Sequence, residues 1–176
     1  MSILKFVALS FTSLTFCFAT GFVSKTMAAS FSVVADGLDN VRGLSFSPDG
    51  SLYVTEAGVG GDQLCDVSFN FPDQQACIGT SGAVTRIKDG KQERVLTNLP
   101  SYALSPTGSQ AIGANDIEFD AAGNPYLLIG LSASVNSDNT PNSENFGELY
   151  KVDLNTGALT SIADISSYEF AKDPTV

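Results

Sequence analysis

The side chains best equipped for chemistry in this sequence are hard oxygen donors and a pair of thiols. Glu56 closes the string LYVTE, while Asn115 and Asp116 open NDIEF. Carboxylate and amide oxygens suit calcium, a hard cation that takes six to eight such ligands. Acids at the ends of apolar runs more commonly cap turns or face water. No metal site is therefore assigned and no cofactor is expected, calcium being the one ion this set could hold. With Arg42, which lies just ahead of the first of these runs, the candidate binding residues are Arg42, Glu56, Asn115 and Asp116. Asp138, Asn139 and Glu144 offer further oxygens in SASVNSDNTPNSEN, but without the D-x-D-x-D-G spacing of a calcium loop they read as a polar surface loop. The chain has no histidine. That excludes, within it, a Ser-His-Asp triad, a Cys-His pair, a His-ligated zinc and a His-held haem, and no catalytic residue is assigned.

Of the three cysteines, Cys17 lies in a segment that reads as a targeting signal. Residues 1–29 carry Lys5, an apolar run from Phe6 to Phe22, and small residues at Ala28 and Ala29, the pattern of a secretory signal peptide. The interspersed Ser10, Thr12, Ser13, Thr15 and Thr20 weaken it as a permanent span. The protein is thus expected to be secreted or periplasmic, with no stable membrane insertion after cleavage. In that compartment Cys65 and Cys77 read as a disulfide, worth about 3 kcal/mol in the chain-entropy model. A metal site is the weaker rival, because two cysteines without histidine cannot complete one; two free thiols are the other.

These groups need a scaffold. Of 176 residues, 43% are hydrophobic and 16 are glycine, against 16% charged, which excludes a disordered acidic tail or a coiled coil. The net charge of −10 repels nucleic acid and anionic lipid. The partners left are a small molecule, a glycan or a protein. The sequence also repeats. GLSFSPDGSLYVTEAG from Gly43 lies over DIEFDAAGNPYLLIGL from Asp116, and GAVTRIKDGKQERVLTNL from Gly82 over GELYKVDLNTGALTSIADI from Gly147. The first offset is 73 residues, matching Phe46 to Phe119 and Tyr53 to Tyr126. The second is 65, matching Arg86 to Lys151.

Each copy holds four short apolar runs separated by turn chemistry such as Ser47-Pro48-Asp49-Gly50 and Asp89-Gly90. No window outside the signal has helical periodicity. The expected class is all-β: about two four-stranded antiparallel blades, at 43–99 and 116–165, of a larger, six-bladed propeller. Residues 30–176 would be its N-terminal part, with 31–38 the closing strand of the last blade. Blade topology would gather Asn40, Arg42, Glu56, Asn115, Asp116 and the insertions 59–81 and 132–145 on one face, opposite the tight turns. Binding residues concentrate on such long loops.

The string from Asp36 to Gly58, DGLDNVRGLSFSPDGSLYVTEAG, with TSGAVTRI from Thr80, KQERVL from Lys91 and Ala163-Asp164-Ile165, resembles the ScyD/ScyE family. These are exported NHL-like propeller proteins named for cyanobacterial scytonemin clusters. The resemblance covers nearly all of the chain after the signal. It implies a ligand- or protein-binding scaffold linked to extracellular pigment biosynthesis. Where the family often places His or Gln before the second-blade Asp-Ile, this chain has Asn115, so a histidine role is not carried over. SPDGSLYVTEAG also resembles first-blade strings of quinone-dependent sugar dehydrogenases. The alternative is therefore a propeller enzyme, either such a dehydrogenase or a calcium-dependent lactonase-like hydrolase, with its remaining active-site residues in further blades.

Overall fold

The computed structural model describes residues 30–67, 73–130 and 145–172. Within them are ten strands and one helix, and the strands form two antiparallel sheets. The first sheet runs β1 (Val41–Phe46), β2 (Leu52–Glu56), β4 (Gln75–Lys88), β5 (Lys91–Leu104) and β6 (Ser109–Ile112), with β3 (Gln63–Val67) paired to the far part of β4. The second runs β7 (Ala114–Phe119), β8 (Pro125–Ile129), β9 (Glu148–Asp153) and β10 (Ala158–Asp164). The predicted all-β class is what the chain adopts, and neither sheet closes on itself.

The sequence repeat is the strand register. Leu44 pairs with Val54 and Phe46 with Leu52, just as Ile117 pairs with Leu127 and Phe119 with Pro125. Tyr53 lies opposite Arg86 as Tyr126 lies opposite Lys151, and Val54 opposite Thr85 as Leu127 opposite Tyr150. Even the irregularities recur, with a bulge beside Thr85 in the first sheet and beside Ser161 in the second. The outer hairpins differ in length alone. Lys88 pairs with Lys91 across a two-residue turn, whose Asp89 and Gly90 both take positive φ (51° and 73°) as a type I′ turn requires. Asp153 pairs with Ala158 across a four-residue turn.

The sheets stack face to face, and apolar side chains fill the space between them. Tyr53, Val84 and Leu99 meet Ile117, Leu127, Ile129, Tyr150 and Val152. Ile117, Leu127 and Ile129 retain no exposed surface, and each such side chain contributes about 1.5–3 kcal/mol by leaving water. The Tyr53 and Phe119 rings meet at 4.8 Å between centroids, tilted by 54°. Along one edge β1 lies against β7. There the Ser45 hydroxyl donates to Glu118 Oε2 at 2.9 Å, a contact between positions one repeat apart. A Cβ on Gly43 would stand 2.4 Å from Asp116 Oδ1 and 2.8 Å from the Asn115 carbonyl oxygen, so only glycine allows this approach.

Two expectations need correction. The insertion 59–81 is in part sheet: β3 and the first half of β4 form a ribbon, and the predicted third and fourth strands of this copy run on into it. Backbone groups pair there although the sequence is too polar and glycine-rich to signal a strand. Residues 31–38 form no strand. Asp36 is instead held by the Gln92 side-chain amide, which donates to its carbonyl at 2.8 Å and accepts from its N–H at 3.1 Å. Finally, a helix, α1 (Ile165–Lys172), follows β10. Eight residues are too few to establish a period, and the local signal is a cap: Asp164 Oδ1 accepts the Ser167 N–H at 2.7 Å. The signal segment 1–29 and the insertion 131–144 lie outside the described residues.

Candidate functional site

Two of the candidate residues, Asn115 and Asp116, open β7; Arg42 lies in β1 beside them. Arg42 is exposed, and its guanidinium donates to the Ala111 carbonyl oxygen. Asn115 is exposed at its side chain, while its backbone oxygen accepts the Thr55 hydroxyl at 3.1 Å. Asp116 is half-buried, with Oδ1 accepting the Ile117 N–H at 3.0 Å and lying against Gly43. Strand packing thus brings Arg42, Asn115 and Asp116 into one seam. Their polar groups of both signs are fixed by rigid strands, not by loops.

Glu56 ends β2 near the same seam but has a different environment. Its side chain has no exposed surface. Oε1 accepts the Thr85 hydroxyl at 2.5 Å and Arg94 Nε at 3.1 Å; Oε2 accepts the Asp39 N–H at 2.8 Å and an Arg94 NH2 group at 2.5 Å. Arg94 also reaches Asp39 Oδ2 at 2.8 Å. Burial alone would raise the Glu56 carboxyl. The hydrogen bonds from Arg94, Thr85 and the Asp39 N–H outweigh it and hold the group below its ordinary range. The Glu56 carboxylate in turn pushes the Arg94 guanidinium up. Both oxygens are occupied, so Glu56 acts here as the buried half of an ion pair, with Arg94 partly exposed, that fastens the segment 36–40 over the first sheet.

That network escaped the sequence reading, since Thr85 and Arg94 lie 29 and 38 residues from Glu56. One signal was available. The repeat places Glu56 over Ile129, a position facing a packed surface, and a carboxylate there demands a cation.

Cys65 and Cys77 are joined in a disulfide with S–S 2.02 Å. It clips β3 to β4, where the two cysteines sit directly opposite, and takes no part in the seam. Among the described residues no group of three or more His, Cys, Asp or Glu side chains is placed to hold a metal ion. No described helix is long and apolar enough to cross a membrane.

At the opposite, tight-turn end a cleft of about 490 Å3 opens between the sheets, lined among others by Tyr53, Arg86, Val95, Pro125, Val152 and Leu154. Arg86 there is paired with Glu93 at 2.9 Å. The sequence points to the loop end because long loops concentrate binding residues; tight turns give no hint of a gap between stacked sheets.

The chain matches no protein-family model, no curated protein and no solved structure.

Proposed function

We propose that this chain is part of an exported β-propeller of the ScyD/ScyE kind, working as a non-catalytic scaffold that binds a small molecule, glycan or protein in extracellular pigment production. The observation that carries the reading is the shared register of the two sheets, with equivalent first strands β1 and β7 side by side. Stacked four-stranded repeats meeting along their innermost strands are the arrangement of propeller blades. The disulfide supports export, since such bridges persist in oxidising compartments.

Binding is favoured over catalysis by the state of Glu56, whose carboxylate is committed to Arg94 and Thr85. The binding surface is the seam of Arg42, Asn115 and Asp116, where exposed donors and acceptors sit on rigid strands.

The test is calorimetric titration of the purified chain with neutral and acidic glycans and with aromatic pigment precursors, beside an assay for their conversion. Saturable binding without conversion is expected, weakened by Arg42→Ala and Asp116→Asn and unaffected by Arg86→Ala. Loss with Arg86→Ala alone would move the site to the cleft. Conversion of a precursor would replace the scaffold reading with the enzyme alternative.

A further inference from the structure

Between the sheets at the tight-turn end, the cleft sets a cation beside apolar walls. Tyr53 and Arg86 lie opposite each other on β2 and β4, so their side chains share one face of the first sheet. That face is the one turned to the second sheet, since Tyr53 is buried in the common core. Arg86 therefore stands at the solvent edge of the gap. The sheets touch at two points nearby: a Cβ on Gly123 would lie 3.8 Å from Pro48, and one on Gly157 3.9 Å from Leu96. Beside those contacts about 490 Å3 stays open, within the ordinary range for a small-molecule pocket. Val95 and Leu154 pack against the core yet remain only half-buried, and both line the opening.

We propose that this cleft is a second binding site, separate from the seam, that takes a small organic acid: one carboxylate on Arg86 and an apolar body against Tyr53, Val95 and Leu154. A guanidinium is a planar fork of five N–H donors that matches a carboxylate. Arg86 gives one of these bonds to Glu93 Oε2 at 2.9 Å, and the two side chains are 40% and 64% exposed. So open a pair is weakly held and leaves donors for a ligand. The charge around the cleft points the same way. In a chain of net charge −10 the lining holds two cations, Arg86 and Lys151, against one acid, Asp153. Asp153 Oδ1 already accepts the Asn155 N–H at 2.9 Å. An apolar body displaces water from Val95 and Leu154 and gains affinity by doing so, which a bare phosphate or a sugar would not. Both walls are supplied by adjacent sheets of this chain, so the site does not depend on the seam or on any other molecule.

The experiment is calorimetric titration of the full chain with cinnamate and, in parallel, with its neutral amide, cinnamamide. Saturable binding of cinnamate is expected, with the amide about tenfold weaker for want of the charged hydrogen bond. Arg86→Ala weakens cinnamate about tenfold and abolishes the preference for acid over amide, a change that loss of fold alone would not produce. Val95→Phe fills the gap and blocks both ligands. Glu93→Gln removes the competing carboxylate without touching the walls and tightens cinnamate severalfold, which keeps the test open should Val95→Phe unsettle the fold. Lys91→Ala, a cation on the same hairpin outside the lining, leaves binding unchanged. No saturable binding of cinnamate, or equal affinity for acid and amide, would overturn the proposal. So would binding lost in Arg42→Ala and kept in Arg86→Ala, which would assign the acid to the seam.

Discussion

At three matched positions the two sheets carry opposite chemistry on the same backbone. The first has Glu56, Thr85 and Arg94; the second has Ile129, Tyr150 and Ser161, matched through the registers of β2 with β8, β4 with β9 and β5 with β10. The difference follows what lies on top. Ile129 and Tyr150 of the second sheet are buried in the common core against the first sheet, an apolar surface, while Ser161 is exposed. The first sheet's trio faces the segment 36–40, whose Asp39 N–H and carboxylate need partners of their own. Register is thus set by the strands, and the residue type at a register position is set by its cover.

Exchanging residues across the comparison tests it. Ile129→Glu would have the largest effect: the second sheet offers Ser161 where the first offers Arg94, so an unpaired carboxylate enters the core. A loss of about 4 kcal/mol or more is expected by denaturant unfolding. Arg94→Ala comes next. It leaves Glu56 buried without its cation, and about 3 kcal/mol is expected, less than for a fully enclosed pair because Arg94 is 41% exposed at its side chain. If the cover sets the chemistry, the double variant Glu56→Ile/Arg94→Ser costs less than Arg94→Ala alone; an additive loss would break the comparison.

Gly43→Ala probes the seam where the sheets touch. Its methyl group meets backbone as well as the Asp116 carboxylate, and an overpacking loss of about 1–3 kcal/mol is expected. Gly130, the neighbour of β8, would tolerate alanine better, its nearest contact being 3.4 Å away at Asn115 Cβ. The smallest effect is in pH. The folded Glu56 carboxyl lies below its ordinary 4.5, so its stabilisation is fully present above that value and is lost as pH falls through the lower, folded pKa. Melting temperature followed from pH 5 downward should fall less steeply in Glu56→Gln than in the parent, and an unchanged slope would deny the group this role.

The repeated antiparallel sheet was legible in the sequence because it is written in local pairs: Phe46 and Phe119 before a turn, Tyr53 and Tyr126 after it. Strand order and register followed from those residues and their spacing. The disulfide was legible because Cys65 and Cys77 share one polar stretch. Contacts across long loops were less so. Arg94 reaches Glu56 because β5 folds back beside β4, and its own position in the string KQERVL carries no trace of that. The ribbon of β3 and β4 escaped notice because Gly79 and Gly82 interrupt any alternation, and α1 because a single cap and two turns leave no period to find. Topology gathers Arg42, Glu56, Asn115 and Asp116 at one end; strand packing brings Arg42, Asn115 and Asp116 into one seam, while the Glu56 carboxylate is enclosed by Thr85 and Arg94.

The unequal outer hairpins bear on protein engineering. Asp89-Gly90 and the four residues from Leu154 to Gly157 join equivalent strands, yet the pairs beside them, Arg86 with Glu93 and Lys151 with Thr160, keep the same register. Two residues have thus been accommodated at that bend at no expense to the sheet. The bend between Lys88 and Lys91 is accordingly a natural insertion point for an epitope or a fluorescent label, leaving the seam, the ion pair and the disulfide untouched.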